Sequence, residues 1–248
     1  MVLVVLFACS NSFAQPRLVV HVTGGYSVPL TGLAGNIEDV YTVPQPTTVT
    51  TEPKLYMKTG FNFGADVKYG FDKKRSIRGV FGLGYNLFMN NYDLVTTLST
   101  TTVKTQFNYF TVSLGAEYAF LPKGKANPFI GVDFTGNFYN GKTTLDPQPA
   151  GTSEISLKSG SRFGLQFGAG VDIALSKNIG IIVGGKYHLV NLIGKSDDTS
   201  GTTATEKPLV DKEWTSGTTT IKAIDLQALK LYVGVSFYLM QPKARMKK

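Results

Sequence analysis

The sequence contains one cysteine and two histidines in 248 residues, and charged residues make up only 17% of it. A single thiol, Cys9, can form neither an internal disulfide nor a cysteine-based metal cluster. No apolar run reaches the ~18 residues that a membrane-spanning helix needs. These absences exclude a disulfide-stapled scaffold, a cysteine metal centre and a helical membrane protein.

Aromatic residues and glycine are plentiful by contrast, at 12% and 27 residues, and they occur in alternating patterns. The clearest pattern runs from Leu229 to Leu239, where apolar side chains occupy every second position. Successive side chains of a strand point to opposite faces. The segment therefore predicts a strand with one apolar face and a second face made of Lys230, Tyr232, Gly234, Ser236 and Tyr238.

The same alternation recurs about eight times, with short and long connections in turn. The other face of each segment is too rich in glycine and isolated charges to suit a water-exposed surface. We therefore predict an all-β fold, an eight-stranded antiparallel up-and-down transmembrane β-barrel with lipid outside, a polar lumen, short periplasmic turns and long extracellular loops. The last strand must pair with the first, because backbone polar groups cannot stay unpaired in lipid. The predicted strands are Arg17–Tyr26, Leu55–Phe71, Ile77–Tyr92, Gln106–Leu121, Pro128–Tyr139, Ser159–Leu175, Ile179–Ile193 and Ile224–Leu239.

The N-terminal segment MVLVVLFACSNSFAQ is an apolar run followed by small residues, typical of a signal peptide cleaved after Ala14. No basic residue precedes the run, so we expect the translated start to lie upstream. A lipoprotein site ending at Cys9 is the alternative, which the bulky Phe7 fits poorly. The sequence thus predicts a signal peptide at 1–14, a barrel at 15–239 and a basic tail at 240–248.

Ten charged residues fall on inward rows, where each must be paired or hydrated. Register estimates place Glu117 near Asp133 on one wall and Lys186 near Lys230 on the opposite wall. We expect this acidic patch to face the basic one across the lumen and to plug the barrel. The alternatives are a network that only fills the interior and a small or gated pore. The ten predicted residues are Lys58, Asp66, Lys68, Arg78, Glu117, Asp133, Arg162, Asp172, Lys186 and Lys230.

The sequence offers little for catalysis or for a cofactor. His21 and His188 both fall on inward rows, and neither has a serine two positions along its strand, so a lumen-filling role is favoured. Two isolated histidines do not make a metal site. The Gly-x-Gly pairs at Gly82 and Gly168 alternate along strands rather than opening a helix, unlike a dinucleotide-binding motif. We predict no enzyme activity, no cofactor and no metal.

The net charge of +8 is unevenly distributed. The short turns and the C-terminal tail together carry ten basic residues and one acid, while the long loops are balanced or slightly acidic. Nucleic-acid binding is not expected, because these charges lie on turns and a tail of an exported protein. The remaining interpretations are a solvated rim and contact with an anionic periplasmic surface or a partner protein.

The even strand number, the alternating connection lengths and the Gly24–Pro29 stretch of strand 1 resemble the small OmpA/OmpX-type, opacity-like outer-membrane barrels. The end of the last strand is also similar to that family's C-terminal insertion signal, through Gly234, Phe237 and Leu239, although Met240–Lys248 extends beyond it. The resemblance implies contact with outer-membrane lipid and lipopolysaccharide, and insertion by the barrel-assembly machinery.

Function is less constrained than fold, because one barrel type serves many roles. The expected role is structural, adhesive or surface-recognising through the loops, including attachment to another envelope protein as an accessory subunit. The alternatives are a small pore and, with less support, a lipid-modifying enzyme. A soluble ligand-carrying barrel is the main non-membrane alternative.

Overall fold

The computed structural model describes residues 17–35, 54–95, 100–147, 151–198, 200, 203, 205–216 and 219–239, which form eight long strands and three short ones. The predicted signal peptide and basic tail lie outside these residues. No helix in these ranges is long and apolar enough to span a bilayer. The long strands are β1 Leu18–Thr31, β2 Thr59–Gly70, β3 Ile77–Val95, β4 Thr100–Ala119, β5 Ala126–Pro147, β6 Ser153–Ala174, β7 Ile179–Ile193 and β11 Leu226–Leu239. The short strands are β8 Glu206–Lys207, β9 Trp214–Ser216 and β10 Thr219–Ile221.

The eight long strands close into a ring in which each strand is antiparallel to both neighbours. The closing seam joins β1 to β11, from Leu18 opposite Leu239 to Thr31 opposite Leu226. Closure satisfies the backbone of the membrane-facing wall, as a bilayer requires. The predicted eight-stranded barrel is confirmed.

The outer surface of the ring carries the apolar rows. Phe167 and Val233 are 47% and 56% exposed, as expected if they face acyl chains. Aromatic side chains flank the band, with Phe61 near the loops and Phe71 at the turns. The two are ten residues apart, which at ~3.3 Å per residue and a tilt of roughly 40° spans about 25 Å along the membrane normal. This is the height of the apolar band of an outer-membrane barrel.

Strand length differs strongly around the ring. Strands β3 to β6 have 19, 20, 22 and 22 residues, whereas β1, β2, β7 and β11 have 12 to 15. The surplus lies on the loop side and forms a raised wall, comprising residues 90–95, 100–105, 141–147 and 153–162. Much of this wall, residues 100–105, 141–147 and 153–158, falls in the connections between the predicted strands. Threonine is β-branched and suits a pleated strand, and here each segment has a neighbour to pair with.

Strand β1 is longer than predicted, since it continues through Gly24–Pro29 to Thr31. Its pairing with β2 stops at Ser27, while its pairing with β11 continues. Pro29 therefore lies where β1 has one neighbour only, and proline is tolerated at such an edge. The prediction that this stretch ends the strand is wrong.

Strand β2 is shorter than predicted and begins at Thr59 instead of Leu55. Tyr56 has a φ of 55°, a left-handed conformation that interrupts an extended strand. Met57 then forms an isolated parallel bridge with Ala34. This break determines the position of Lys58, described below.

Candidate functional site in the barrel interior

Nine of the ten predicted inward charges lie inside the barrel, on the inner rows of β2 to β7 and β11. Lys58 is the exception and is exposed. Its inward placement is wrong, because it precedes the start of β2 and the preceding Met57 turns inward instead, with 2% exposure. The nine are Asp66, Lys68, Arg78, Glu117, Asp133, Arg162, Asp172, Lys186 and Lys230.

Near the turn end of the lumen, Glu117 is held by two cations from its own side of the ring. Arg78 is its direct neighbour on β3, and Lys68 reaches it from β2. The Lys68 ammonium also lies 4.0 Å from the centroid of the Phe129 ring. The expected pairing of Glu117 with the basic residues of the far wall is wrong, because these adjacent strands supply closer partners.

In the middle of the lumen, Lys186 joins two carboxylates from different strands. Its Nζ lies 3.4 Å from Asp66 Oδ2 and 3.8 Å from Asp133 Oδ2. Lys230, opposite Lys186 in register as expected, donates to Gln166 Oε1 at 3.0 Å. Gln166 in turn donates to Asp133 Oδ2 at 2.7 Å. The expected pairing of Asp133 with the basic residues is therefore present, directly to Lys186 and through the Gln166 amide to Lys230. Asp133 and Lys186 lie on β5 and β7, which only β6 separates, so this contact follows the wall and does not cross the lumen as expected.

His188 connects this polar network to the apolar residues above it. Lys230 Nζ lies 3.1 Å from His188 Nδ1, and Thr135 Oγ1 lies 3.2 Å from Nε2. When Lys230 is charged it can only donate, so in that state Nδ1 accepts from Lys230 and the ring proton sits on Nε2, where it can be donated to Thr135. Tyr109 packs edge-on against the ring at 5.5 Å.

The charges inside the membrane-spanning part of the barrel cancel. Four cations balance four carboxylates in formal charge, although Lys230 is held by Gln166 and His188 and Asp172 by the hydroxyls of Ser236 and Tyr238. The cations are Lys68, Arg78, Lys186 and Lys230, and the carboxylates are Asp66, Glu117, Asp133 and Asp172.

At the turn end, Asp172 accepts hydrogen bonds from Ser236 Oγ at 2.7 Å and from Tyr238 OH at 2.8 Å. His21, the register partner of Ser236 across the seam, lies 3.7 Å from Asp172. The three residues include the types used in nucleophilic catalysis, but the serine donates to the aspartate and His21 and Ser236 have no exposed surface. The arrangement closes the turn end. A search along single strands missed it, because the pair forms between β1 and β11.

At the extracellular mouth, Arg162 binds Asp211, which is not among the ten predicted residues. Its Nε and Nη2 each donate to one carboxylate oxygen of Asp211 at 2.8 Å. Asp211 is fully buried and also accepts from Asn191 Nδ2 at 2.8 Å and from the Ser196 amide at 2.9 Å. Asp211 lies in the connection between β7 and β11, so this contact fastens that connection across the barrel opening.

An apolar cluster, here called the mouth plug, fills the lumen beneath this connection. Phe88 stacks on Tyr109 at 5.9 Å, and Phe107 stacks on Tyr139 at 6.1 Å. The same alternation that orients the charged rows orients these side chains inward, but the prediction treated the lumen as polar throughout. The plug comprises Leu33, Met57, Phe88, Phe107, Tyr109, Tyr139, Val190, Leu209, Ile224, Leu226 and Ala228.

Small spaces remain among the polar side chains. One cavity of about 40 Å³ is lined by residues that include Asn86, Asp66, Lys186 and Lys230, and another of about 10 Å³ lies between Glu117 and Asp133. A water molecule needs ~10–15 Å³ by this measure, so the larger cavity holds roughly three. Asn86 Oδ1 has no partner among the described residues, which favours hydration. Within the same part of the chain, no group of three or more His, Cys, Asp or Glu side chains could hold a metal ion.

The three residues of the predicted insertion signal lie on β11 with different orientations. Phe237 and Leu239 point outward, 40% and 45% exposed. Gly234 faces the seam, where an added Cβ would lie 2.2 Å from the carbonyl oxygen of Val22. Recognition of this strand end during insertion stays a prediction.

The sequence matches the family described as outer membrane protein beta-barrel domain over residues 1–207. The chain belongs to this family. The protein is therefore a bacterial outer-membrane β-barrel whose apolar band contacts lipid. A comparison with curated proteins finds no match.

Among solved structures, the outer-membrane barrel is similar to Neisserial surface protein A, with 14% identity, a TM-score of 0.47, and coverage of 90% of this chain and 97% of that one. It is also similar to Ail of Yersinia pestis in complex with the heparin analogue sucrose octasulfate, with 12% identity, a TM-score of 0.40, and coverage of 89% and 99%. A third similar structure is AlkL in lipid bilayers, with 12% identity, a TM-score of 0.37, and coverage of 97% of each chain.

Proposed function

We propose that this outer-membrane barrel is a non-conducting, non-enzymatic protein whose extracellular surface recognises another molecule, in adhesion or in docking to a further envelope protein. The observation that supports this most directly is the closed mouth. Leu209 and Asp211 of the β7–β11 connection are 4% and 0% exposed, one within the mouth plug and the other bound to Arg162. A barrel filled in this way offers its outside, rather than its lumen, to other molecules.

The raised wall is the part of that outside with the most defined structure. It is a continuous antiparallel sheet, in which 90–95 pairs with 100–105 and 141–147 pairs with both neighbours. Its side chains are joined by local contacts, such as Thr102 Oγ1 to Asp93 Oδ1 at 2.7 Å and Lys142 Nζ to Glu154 Oε2 at 3.2 Å. Binding residues commonly sit on outer segments that a rigid scaffold positions, and this sheet is such a support.

Enzyme activity has no support from the arrangement of polar groups. Ser236 and His21 at the turn end are fully buried inside the barrel, and the hydroxyl of Ser236 donates its hydrogen bond to Asp172. A nucleophile needs an adjacent base and access to its substrate.

The test displays the full chain on a non-adherent Gram-negative host and measures attachment to epithelial cells, extracellular matrix and neighbouring bacteria. A wall variant, K104E/K142E/K158E, should reduce attachment by at least about tenfold, the equivalent of roughly 1.4 kcal/mol, since like-charge contacts in an interface cost that much or more. The matched control K73E/K123E/K125E makes the same charge change at the turn end and should attach normally. The proposal fails if the intact protein attaches no better than the empty host and captures no envelope protein. It also fails if both variants lose attachment to the same extent.

A gated pore is the second candidate, favoured by the polar cavity among the lumen charges and by the Arg162–Asp211 pair, which holds one connection in the barrel mouth. Planar-bilayer recording separates the two. We expect no steady conductance from the intact barrel or from Asp211→Ala. Steady conductance from the intact protein, altered by Glu117→Gln, would support the pore instead.

A further inference from the structure

The turn end of the barrel is predominantly positively charged. Its described residues outside the lumen include seven cations and a single carboxylate, Asp72, giving a net charge of +6. Among the described residues of the loop side, nine lysines are balanced by eight carboxylates, apart from the buried Arg162–Asp211 pair. The seven cations, here called the basic rim, are Arg17, Lys73, Lys74, Arg75, Lys123, Lys125 and Lys177.

Asp72 does not neutralise the basic rim by ion pairing, because its carboxylate is used by the turn itself. Oδ2 accepts from the Lys74 amide at 3.1 Å, and Oδ1 accepts from the Ile77 amide at 3.0 Å. Desolvation pushes the pKa of Asp72 upward, but these backbone amides outweigh it and hold the pKa below its usual value. Among the described residues, no carboxylate is within ion-pair distance of Lys73 or Lys74.

The same is true of Lys123 and Lys125 within the described chain, and both are exposed. Two members of the rim also repel each other. Burial, and then the charge of Arg17, lower the pKa of Arg75. Lys73, Lys74, Lys123 and Lys125 are therefore four cations of the rim that have no acidic partner among the described residues.

The basic rim lies directly next to the lipid-facing band. Each turn begins at an exposed apolar side chain, Phe71 at 68%, Leu121 at 38% and Leu175 at 57%. Lysine stems run along apolar surface and place their ammonium groups at the polar edge. The side chains of Lys73, Lys123 and Lys177 follow these anchors by two residues, so their ammonium groups can reach the headgroup layer of the periplasmic leaflet.

We propose that the basic rim binds the phosphate groups of anionic phospholipids in the periplasmic leaflet of the outer membrane. The cations are distributed around the barrel, on all three turns. This arrangement fits the ring of lipids that surrounds a membrane protein better than it fits a single protein partner, which would need one patch. Their position at the end of the apolar band matches the depth of the headgroups. Juxtamembrane lysines and arginines are attracted to anionic lipid within about one Debye length of the surface.

The test reconstitutes the full chain in phosphatidylcholine bilayers that contain a minority of phosphatidylglycerol. Electron spin resonance of spin-labelled lipids measures the fraction of each lipid held at the barrel surface. The turn variant K73Q/K74Q/K123Q/K125Q removes four charges of the rim. The matched control K54Q/K58Q/K104Q/K158Q removes four exposed charges from the loop side, and heat-modifiable gel mobility verifies that each protein is folded.

The intact protein should hold phosphatidylglycerol about fivefold more strongly than phosphatidylcholine at low salt, the factor expected for one cation per headgroup. This preference should approach unity in the turn variant and at high salt, and the loop-side control should keep it. No preference in the intact protein, an equal loss in both variants, or a preference that survives in the turn variant would overturn the proposal. Loss of binding to isolated peptidoglycan in the turn variant, without any lipid preference in the intact protein, would overturn it in favour of the acidic polymer.

Discussion

Arg162 and Asp211 form a two-pronged ion pair that joins the barrel wall to the longest extracellular connection. Both bonds measure 2.8 Å, and the side chains are 8% and 0% exposed. Guanidinium and carboxylate match each other in this geometry, so the pair fixes orientation as well as position. Asp211 belongs to the β7–β11 connection, and Arg162 belongs to the raised wall.

Replacing Asp211 with alanine should release the connection, because the Arg162 charge is left buried without its acid. Removal of one partner of a buried pair costs ~3–5 kcal/mol. Trypsin should then cleave faster after Lys207 and Lys212 in the folded, lipid-embedded protein. The control Asp197→Ala removes an exposed partner of Lys212 at 3.2 Å and should change little. Equal cleavage of all three proteins would contradict the assignment.

Glu117→Gln should strongly destabilise the barrel. The substitution keeps the shape but leaves Lys68 and Arg78 without a carboxylate, a loss of about 3–5 kcal/mol. Urea unfolding in detergent, followed by gel mobility, measures it. Glu154→Gln breaks an exposed pair with Lys142, half of each side chain being in solvent, and should cost at most about 1 kcal/mol. If adding Lys68→Met to Glu117→Gln restores none of the lost stability, charge imbalance is not the cause of the destabilisation.

Gly25→Ala should impair closure of the seam, whereas Gly24→Ala should be tolerated. A Cβ at Gly25 would lie 1.9 Å from the carbonyl oxygen of Leu231 and 2.7 Å from Tyr232 Cα, both backbone atoms that cannot move aside. At Gly24 the nearest atom is 3.6 Å away, on the Phe63 ring. Overpacking costs ~1–3 kcal/mol or more. The folded fraction after refolding into detergent is the measurement, and equal yields would refute the clash.

Arginine on the lipid face should have a cost that depends on depth. Val233 lies midway between Leu229 and Phe237 on β11, so Val233→Arg should destabilise by ~2–4 kcal/mol, as at a bilayer midplane. Phe71→Arg at the turn end should lose ~1 kcal/mol or less from charge placement. Reversible unfolding from lipid vesicles gives both values. A larger loss at Phe71 than at Val233 would place the apolar band elsewhere.

The barrel and its outward rows could be predicted because alternation along a strand has a period of two and each strand repeats it. Strand ends were harder, since they depend on the neighbour. Residues 141–147 read as loop by composition but form a strand, because β4 and β6 extend far enough to pair with them. Pro29 reads as a strand terminator, yet it lies in a strand where pairing with β2 has already ended.

The charged residues of the interior could be predicted, but their partners less so, and the apolar mouth plug was missed. Alternation places Glu117 and Lys186 in the lumen, whereas their partners depend on strand stagger and side-chain reach, which a hairpin estimate does not include. Asp211 lies in a segment without periodicity, so no local pattern marks it as buried. Lys58 keeps the parity of the inward row but lies between the left-handed residue Tyr56 and the start of β2 at Thr59, outside the paired strand, so alternation does not fix its direction.

The pairing of Leu18 with Leu239 brings the first and last strands of the ring together at the turn end. The ring itself therefore has no beginning, and a short linker between these two residues would leave every strand neighbour unchanged. New chain ends could instead be placed at Lys123–Lys125, in the turn that joins β4 to β5 at the same end. In a circular permutant of this kind, thermodynamic stability would depend on the ring, and the route of membrane insertion on which strand emerges last.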